Sequence, residues 1–161
     1  MTIVPDPVSL IDPQTRLLPV DDDLDTGGFF EAARRGELVV RMCNGCDAVL
    51  HVPRMYCRFC GSWDGRWQVV DGSATLYSWT VVTHQVHPAY QVPYTVVLVD
   101  LDTPADVRLV GYLSGAPELV AGMPMDVWFD EIGHVDGRPI VVPQWKPASR
   151  DVDPTDHVAG Q

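Results

Sequence analysis

The stretch Cys43-Asn44-Gly45-Cys46-Asp47-Ala48-Val49-Leu50-His51-Val52-Pro53-Arg54-Met55-Tyr56-Cys57-Arg58-Phe59-Cys60 decides how this chain is read. It holds all four cysteines of the 161 residues, as two Cys-x-x-Cys knuckles with ten residues between them. Two such knuckles folded against each other place four thiolates around one soft cation, the donor set and spacing of a closed structural zinc site. A closed site leaves the ion no open position, so the metal would hold a fold together rather than activate water. Cys43, Cys46, Cys57 and Cys60 are therefore the candidate metal ligands, with zinc the expected ion. Iron is also served by four thiolates, and spacing alone does not separate the two metals. Four thiolates complete a tetrahedron without His51, which is expected on the ribbon surface.

Other uses of cysteine fit less well. The chain opens Met1-Thr2-Ile3-Val4-Pro5-Asp6, without the basic start and apolar run of a secretory signal, so no disulfide-forming compartment is implied. A thioredoxin-like redox motif needs one Cys-x-x-Cys at a strand-to-helix junction, whereas here a second knuckle follows and Gly45, Pro53 and Gly61 supply ribbon turns. No stretch approaches the roughly 18 consecutive apolar residues of a membrane helix, and free thiols point to the cytoplasm. The length suits one domain with its own core plus a small metal-stabilised module.

Working outward, the net charge of −11 is unevenly placed: residues 1–33 carry −6, 34–66 carry +3, 67–146 carry −6 and 147–161 carry −2. The knuckle segment, with Arg34, Arg35, Arg41, Arg54, Arg58 and Arg66, is the one basic part of an acidic protein. Nucleic-acid binders carry a broader cationic footprint. A single local patch suits a small phosphorylated ligand or an acidic protein surface better.

Residues 1–24 hold Pro5, Pro7, Pro13 and Pro19 together with Asp21-Asp22-Asp23, have no helical period, and read as an extended acidic arm. A short helix is predicted over 25–37, capped by Asp25 or Thr26, with Phe29, Phe30 and Ala33 on one face and Gly36 ending it. Leu38–Met42 reads as a strand feeding the first knuckle of a metal ribbon spanning 38–66. From 67 to 147 the pattern becomes short strands between turn residues: Arg66–Val70 ending at Asp71-Gly72, Ser73–Gln85, the nearly continuous apolar run Tyr94–Leu101, Val107–Leu113, and Pro139–Gln144 after Asp136-Gly137. In the remaining strand Met125, Val127 and Phe129 alternate with Asp126, Trp128 and Asp130, predicting one buried and one solvated face. Five to six strands in about eighty residues is the size of an OB-type barrel, so the fold class is mainly β. Residues 148–161 read as a disordered acidic tail.

The chain resembles a bacterial and archaeal family of acyl-CoA-associated proteins built from a rubredoxin-like zinc ribbon followed by an OB-fold. The resemblance is carried by Phe29-Phe30-Glu31-Ala32-Ala33-Arg34-Arg35-Gly36-Glu37-Leu38, the knuckles with Pro53-Arg54 between them, Gly72-Ser73-Ala74-Thr75-Leu76-Tyr77-Ser78-Trp79-Thr80, and Gly122-Met123-Pro124-Met125. It implies a noncatalytic partner of thiolase-like enzymes, including acyltransferases of polyketide type and steroid side-chain aldolases, in a hetero-oligomer where the small protein helps shape the acyl-CoA channel. Two departures stand out: Asp47 follows the first knuckle where family members often carry Gly, and the long amino-terminal arm is not part of the shared pattern.

No catalytic residue is assigned. The cysteines are committed to metal, and no Ser lies in a nucleophile-elbow sequence to pair with His84 or His87. These histidines and Tyr90 sit on a proline-bounded loop, where contact with a partner or ligand is the expected use. Arg54 and Arg58 flank the second knuckle and are expected to meet phosphate or an acidic partner, as are Phe30 of the helix and the outward Trp128 to meet an apolar one. A nucleic-acid-binding module remains the alternative, since zinc ribbons and OB-folds both serve that role, and the charge balance opposes it.

Overall fold

The computed structural model describes residues 16–148. The acidic tail and the first part of the arm lie outside them. The elements run α1 (Gly27–Arg34), β1 (Leu38–Cys43), β2 (Gly65–Val70), β3 (Ser73–Val82), β4 (Tyr94–Leu101), β5 (Arg108–Ser114), β6 (Pro124–Val135) and β7 (Arg138–Pro147). The chain is thus mainly β, with one short helix, a ribbon carrying the cysteines, and a five-stranded sheet. No helix among the described residues is long and apolar enough to cross a membrane.

Strands β1 and β2 form a two-stranded antiparallel sheet, in register from Leu38 opposite Val70 to Cys43 opposite Gly65. β2 therefore runs across the 66/67 boundary drawn from the sequence, and its partner is the ribbon strand. The larger sheet has the order β5-β4-β3-β6-β7, with every neighbour antiparallel. β3 reaches β6 over only Ser73 to Thr75. Both outer strands curl round to meet, and there a side chain substitutes for the ladder: the Tyr112 amide donates to Gln144 Oε1 at 2.7 Å.

Alternation along β4 places Thr95, Val97, Val99 and Leu101 inside and leaves Tyr94, Val96, Leu98 and Asp100 half-buried. The nearly continuous apolar run is thus a strand with neighbours on both sides, buried on one face and half-buried on the other. The core these residues enter also holds Ala74, Leu76, Val107, Leu119, Met125 and Trp145, and Leu38 and Val40 reach it from the ribbon strand. Each such Val or Leu side chain contributes roughly 1.5–3 kcal/mol by leaving water. Trp145 is fully buried, and its indole Nε1 has no hydrogen-bond partner among the described residues. Gly111 lies flat against that ring, leaving no room for a Cβ. On β6 only Met125 is fully buried; Val127 and Phe129 pack partly against the core, and Trp128, predicted on the solvated face, is half-buried as well.

The helix is shorter than predicted at both ends, and its start is held differently. Thr26 stands at the N-cap without a capping side-chain bond. Asp23 instead accepts the amides of Asp25 and Thr26 at 2.8 and 2.9 Å and the Thr26 hydroxyl. At the other end Gly36, at φ 72°, donates to Ala33 O while Glu37 donates to Ala32 O, the paired bonds of a Schellman ending. The arm is tied to this helix by Asp21, a buried carboxylate that accepts from Arg34 and, at 3.1 Å, from Arg138 of β7.

Candidate metal centre and adjoining groove

The two knuckles are built alike. In the first, Cys43 N donates to Ala48 O at 2.9 Å and Asp47 N to Cys43 O at 3.0 Å. In the second, Cys57 N donates to Ser62 O at 2.8 Å and Gly61 N to Cys57 O at 2.9 Å. Each turn closes through a residue of positive φ, Asp47 at 55° and Gly61 at 76°. The first knuckle thus holds an aspartate in the conformation that glycine adopts most cheaply, which aspartate tolerates better than most residues.

All four sulfurs lie within 4.8 Å of one another, with Cys43 to Cys60 at 3.5 Å and Cys46 to Cys57 at 3.7 Å. Ligands about 2.3 Å from a tetrahedral zinc stand about 3.8 Å apart, so the donor set fits that ion. Cys43 and Cys57 are buried, Cys46 and Cys60 exposed, and the Gly45 amide donates to Cys43 Sγ at 3.3 Å, supplying the support a thiolate needs. Without a metal the cluster does not ionise as a set. Burial opposes charge on Cys57, yet the amides of Cys60 and Phe59 outweigh it and bring this thiol down to about 7. The Ala48 amide favours the Cys46 thiolate, but burial and the bonds from Cys60, Cys57 and Cys43 prevail and push that thiol up to about 12. A cation that replaces these protons must release them, so metal affinity falls as pH drops.

The ten residues between the knuckles form the second part of the site. Leu50 is buried against Cys43 and Cys57, and its amide bonds to Arg41 O at 2.8 Å. His51 lies 2.6 Å from the main-chain oxygen of Arg108 through Nε2. A carbonyl only accepts, so the imidazole donates there and stitches the ribbon to β5. Asp25 secures the other end of the loop, accepting from Met55 N at 2.7 Å and from Arg54 Nη1 at 3.1 Å. A cavity of about 190 Å³ results, walled by Phe29 and Phe30 of α1, Val39 and Val40 of β1, Leu50 to Pro53 of the loop, Val107 just before β5 and Leu109 on it. It shares Leu50, His51 and Val52 with a neighbouring groove that runs to Arg54, Tyr56 and Arg58.

Of the residues singled out from the sequence, Phe30, Arg54 and Arg58 come together around this cavity and groove. Arg58 lies 4.8 Å from the centroid of the Phe59 ring. Tyr90 lines a separate cavity with Arg16, Tyr112 and Gln144. It belongs to a run of rings, His87 to Tyr90 at 5.8 Å, Tyr90 to Tyr94 at 6.2 Å and Tyr94 to Tyr112 at 5.4 Å, while His84 is exposed on the loop leading in. Trp128 sits on β6 opposite Gln144 of β7. His51 is the residue whose place the sequence reading underrated: its position between the knuckles was visible, its partner 57 positions away was not. The ribbon's other arginines are largely engaged, Arg34 with Asp21 and Glu31, Arg35 with Glu31 and Glu37, and Arg66 with Asp47.

Comparison with known proteins places this architecture. Residues 30–64 match the model of the ChsH2 rubredoxin-like zinc ribbon domain, and residues 67–130 that of the ChsH2 C-terminal OB-fold domain. A Thermomonospora curvata protein described as "Probable enoyl-CoA hydratase alpha subunit" is 40% identical over 105 residues, which are 63% of this chain and 32% of that one. The chain therefore spans about a third of that relative's length. A chain of the solved "Ltp2-ChsH2(DUF35) aldolase" superposes with a TM-score of 0.70 at 33% identity, over 79% of this chain and 97% of that one. With both modules matched in the same order, and nearly all of a solved chain aligned at that identity, this chain belongs to the ChsH2 family of zinc-ribbon and OB-fold proteins.

Proposed function

We propose that the chain is a noncatalytic accessory subunit that binds a thiolase-like enzyme and helps form its acyl-CoA channel. The observation that carries this reading is the alignment over 97% of a chain from an aldolase named for two proteins, Ltp2 and ChsH2. In this reading zinc occupies Cys43, Cys46, Cys57 and Cys60. When bound it supplies cross-linking and no chemistry, since four thiolates leave it no open position. What it cross-links is the ten-residue loop that presents His51, Arg54 and Arg58, so the metal acts on ligand and partner contact through the placement of that loop. A guanidinium offers phosphate or carboxylate a planar fork of donors, which suits Arg54 and Arg58 to such contacts. A tetrathiolate centre is best kept reduced in the cytoplasm, where the subunit is proposed to work.

The test is reconstitution. The chain is purified alone, its thiolase-like partner alone, and the two together, and each is assayed for cleavage or formation of a carbon–carbon bond in an acyl-CoA. Activity confined to the mixture, and reduced by the pair Arg54→Glu and Arg58→Glu with the ribbon still folded, supports the reading. Robust turnover by the isolated chain overturns it.

A further inference from the structure

A second cavity, of about 100 Å³, shares no lining residue with the metal centre or with the cavity and groove beside it. Four parts of the fold build it: Arg16 of the arm, Tyr90 of the loop before β4, Tyr112 of β5, and Ile132, Val142 and Gln144 of the β6–β7 hairpin. Ile132 is the extra residue of the bulge between Glu131 and Gly133, and a bulge is a device that re-aims a side chain. Leu18 packs on Gly133, where an added Cβ would stand 3.0 Å from its Cδ2, and this seats the arm so that Arg16 reaches the cavity.

The polar groups on this wall have donors to spare. Gln144 is 9% exposed, and its Oε1 accepts from the Tyr112 amide at 2.7 Å. That bond fixes which end of the side-chain amide is oxygen, and it leaves Nε2 a donor with no acceptor among the described residues. Arg16 is held by Asp130 at 3.4 Å, longer than the roughly 2.7–2.9 Å of a full charge-assisted bond, and has no other partner among the described residues. Tyr90 and Tyr112 add two hydroxyls that make no hydrogen bond among the described residues, and none of the lining side chains is acidic. Because the cavity is half open, the chemistry of this wall rather than its volume decides the guest. A guanidinium, an amide N–H and two phenols call for an oxygen-rich acceptor, and a carboxylate meets them with two oxygens and about four lone-pair sites. A phosphate dianion would carry more charge towards Asp130 and set bare oxygens against Ile132 and Val142, and an amine or primary amide would bring donors to donors.

We propose that this cavity binds the carboxylate of a short aliphatic acid, its oxygens between Arg16 and Gln144 Nε2 and its hydrocarbon end against Ile132 and Val142. A free short-chain acid and the glutamate side chain of a bound protein share this chemistry. The site is independent of the accessory reading.

The experiment uses the whole chain, labelled with carbon-13 at its isoleucine and valine methyls and titrated at neutral pH and constant ionic strength with sodium butyrate, with N-acetylglutamate N-methylamide, or with butyramide. Saturable shifts at Ile132 and Val142 are expected with one carboxylate or both, and the tighter of the two identifies the source. Butyramide, with the same hydrocarbon end and no carboxylate, is expected to produce none. Arg16→Gln removes the charge, and Gln144→Glu keeps an acceptor for the Tyr112 amide while replacing the Nε2 donor by a repelling oxygen. Each, with its fold verified from the same spectrum, is expected to weaken binding at least about tenfold, the loss of one charge-assisted contact. Arg35→Gln, which removes an arginine engaged with Glu31 and Glu37, is expected to leave it unchanged. If Gln144→Glu does not fold, Arg16→Gln decides. No saturable shift with either carboxylate, butyramide binding equally well, binding undiminished in Arg16→Gln, or an equal loss in Arg35→Gln would each overturn the proposal. Neither a partner enzyme nor the arginines tested by reconstitution enter this titration, so a failure here leaves the accessory role standing, and a failure of reconstitution leaves this site standing.

Discussion

The ribbon and the barrel are held together by different physics. Around the metal site the buried apolar cluster consists of Cys43, Leu50 and Cys57, with Ala48 packed against it, whereas the barrel core joins eleven buried residues from Leu38 to Trp145. A cluster as small as the first cannot offset the cost of ordering a ten-residue loop, at roughly 1–2 kcal/mol per residue. The loop is ordered because four sulfurs can share one ion. The comparison teaches where the joint lies: Leu38 and Val40 of β1 belong to the barrel core, so the metal-dependent part begins beyond them, near Cys43.

The sharpest way to break the comparison is to remove the metal. Apparent binding energies of structural zinc are on the order of 10–16 kcal/mol, so Cys57→Ser, or a strong chelator at neutral pH, should unfold residues 44–64. Amide hydrogen exchange should show protection lost there and kept in β3 to β7; global unfolding would mean that the barrel also depends on the ion. The converse experiment strikes the barrel. Leu76→Ala, at a site 1% exposed, should cost about 2–5 kcal/mol in denaturant unfolding while metal content stays at one equivalent.

The two knuckles sharpen the picture at a smaller scale. Gly61→Ala forces a Cβ into the left-handed region and should cost the ribbon about 1–2 kcal/mol, read as faster metal loss to a chelator. Asp47→Gly should change that rate far less, because it relieves the same backbone strain while giving up only the exposed pair with Arg66. The smallest expected effect concerns acid. Arg34 beside Asp21, with Arg138 adding to it, holds that carboxyl below its ordinary value of 3.8. A lowered value in the fold means that the contribution is complete above the ordinary value and is lost as pH falls below it. Asp21→Asn should therefore lower the melting temperature at pH 7 and flatten its decline as pH falls below the ordinary value of 3.8; an unchanged acid limb would show that the arm does not depend on this carboxylate.

Much of this was legible in the sequence because it is local. The knuckles, the glycine that ends α1, the strand alternation and the Asp136-Gly137 turn all depend on neighbours within a few positions. What was not legible depends on partners far along the chain. Asp25, read as a helix cap, spends its carboxylate on Met55 and Arg54, 30 and 29 positions on. Asp21 looked like one of three solvated aspartates until Arg34 and Arg138 folded onto it. Trp145, a tryptophan suited to core packing, is the largest fully buried side chain, but its seat is made by a glycine on another strand and was not visible in the sequence. The cavity could not be read at all, because α1, β1, the loop and β5 each supply one wall of it.

The tie between His51 and the Arg108 carbonyl has a consequence for how such a chain can change over time. Every residue type presents a main-chain oxygen, so position 108 is free to drift, taking its pair with Asp100 along, without loosening the seat of the ribbon. Position 51 has no such freedom, because few side chains both reach that far and end in a donor. Divergence at this junction should therefore be lopsided, with the barrel side variable and the loop side narrow.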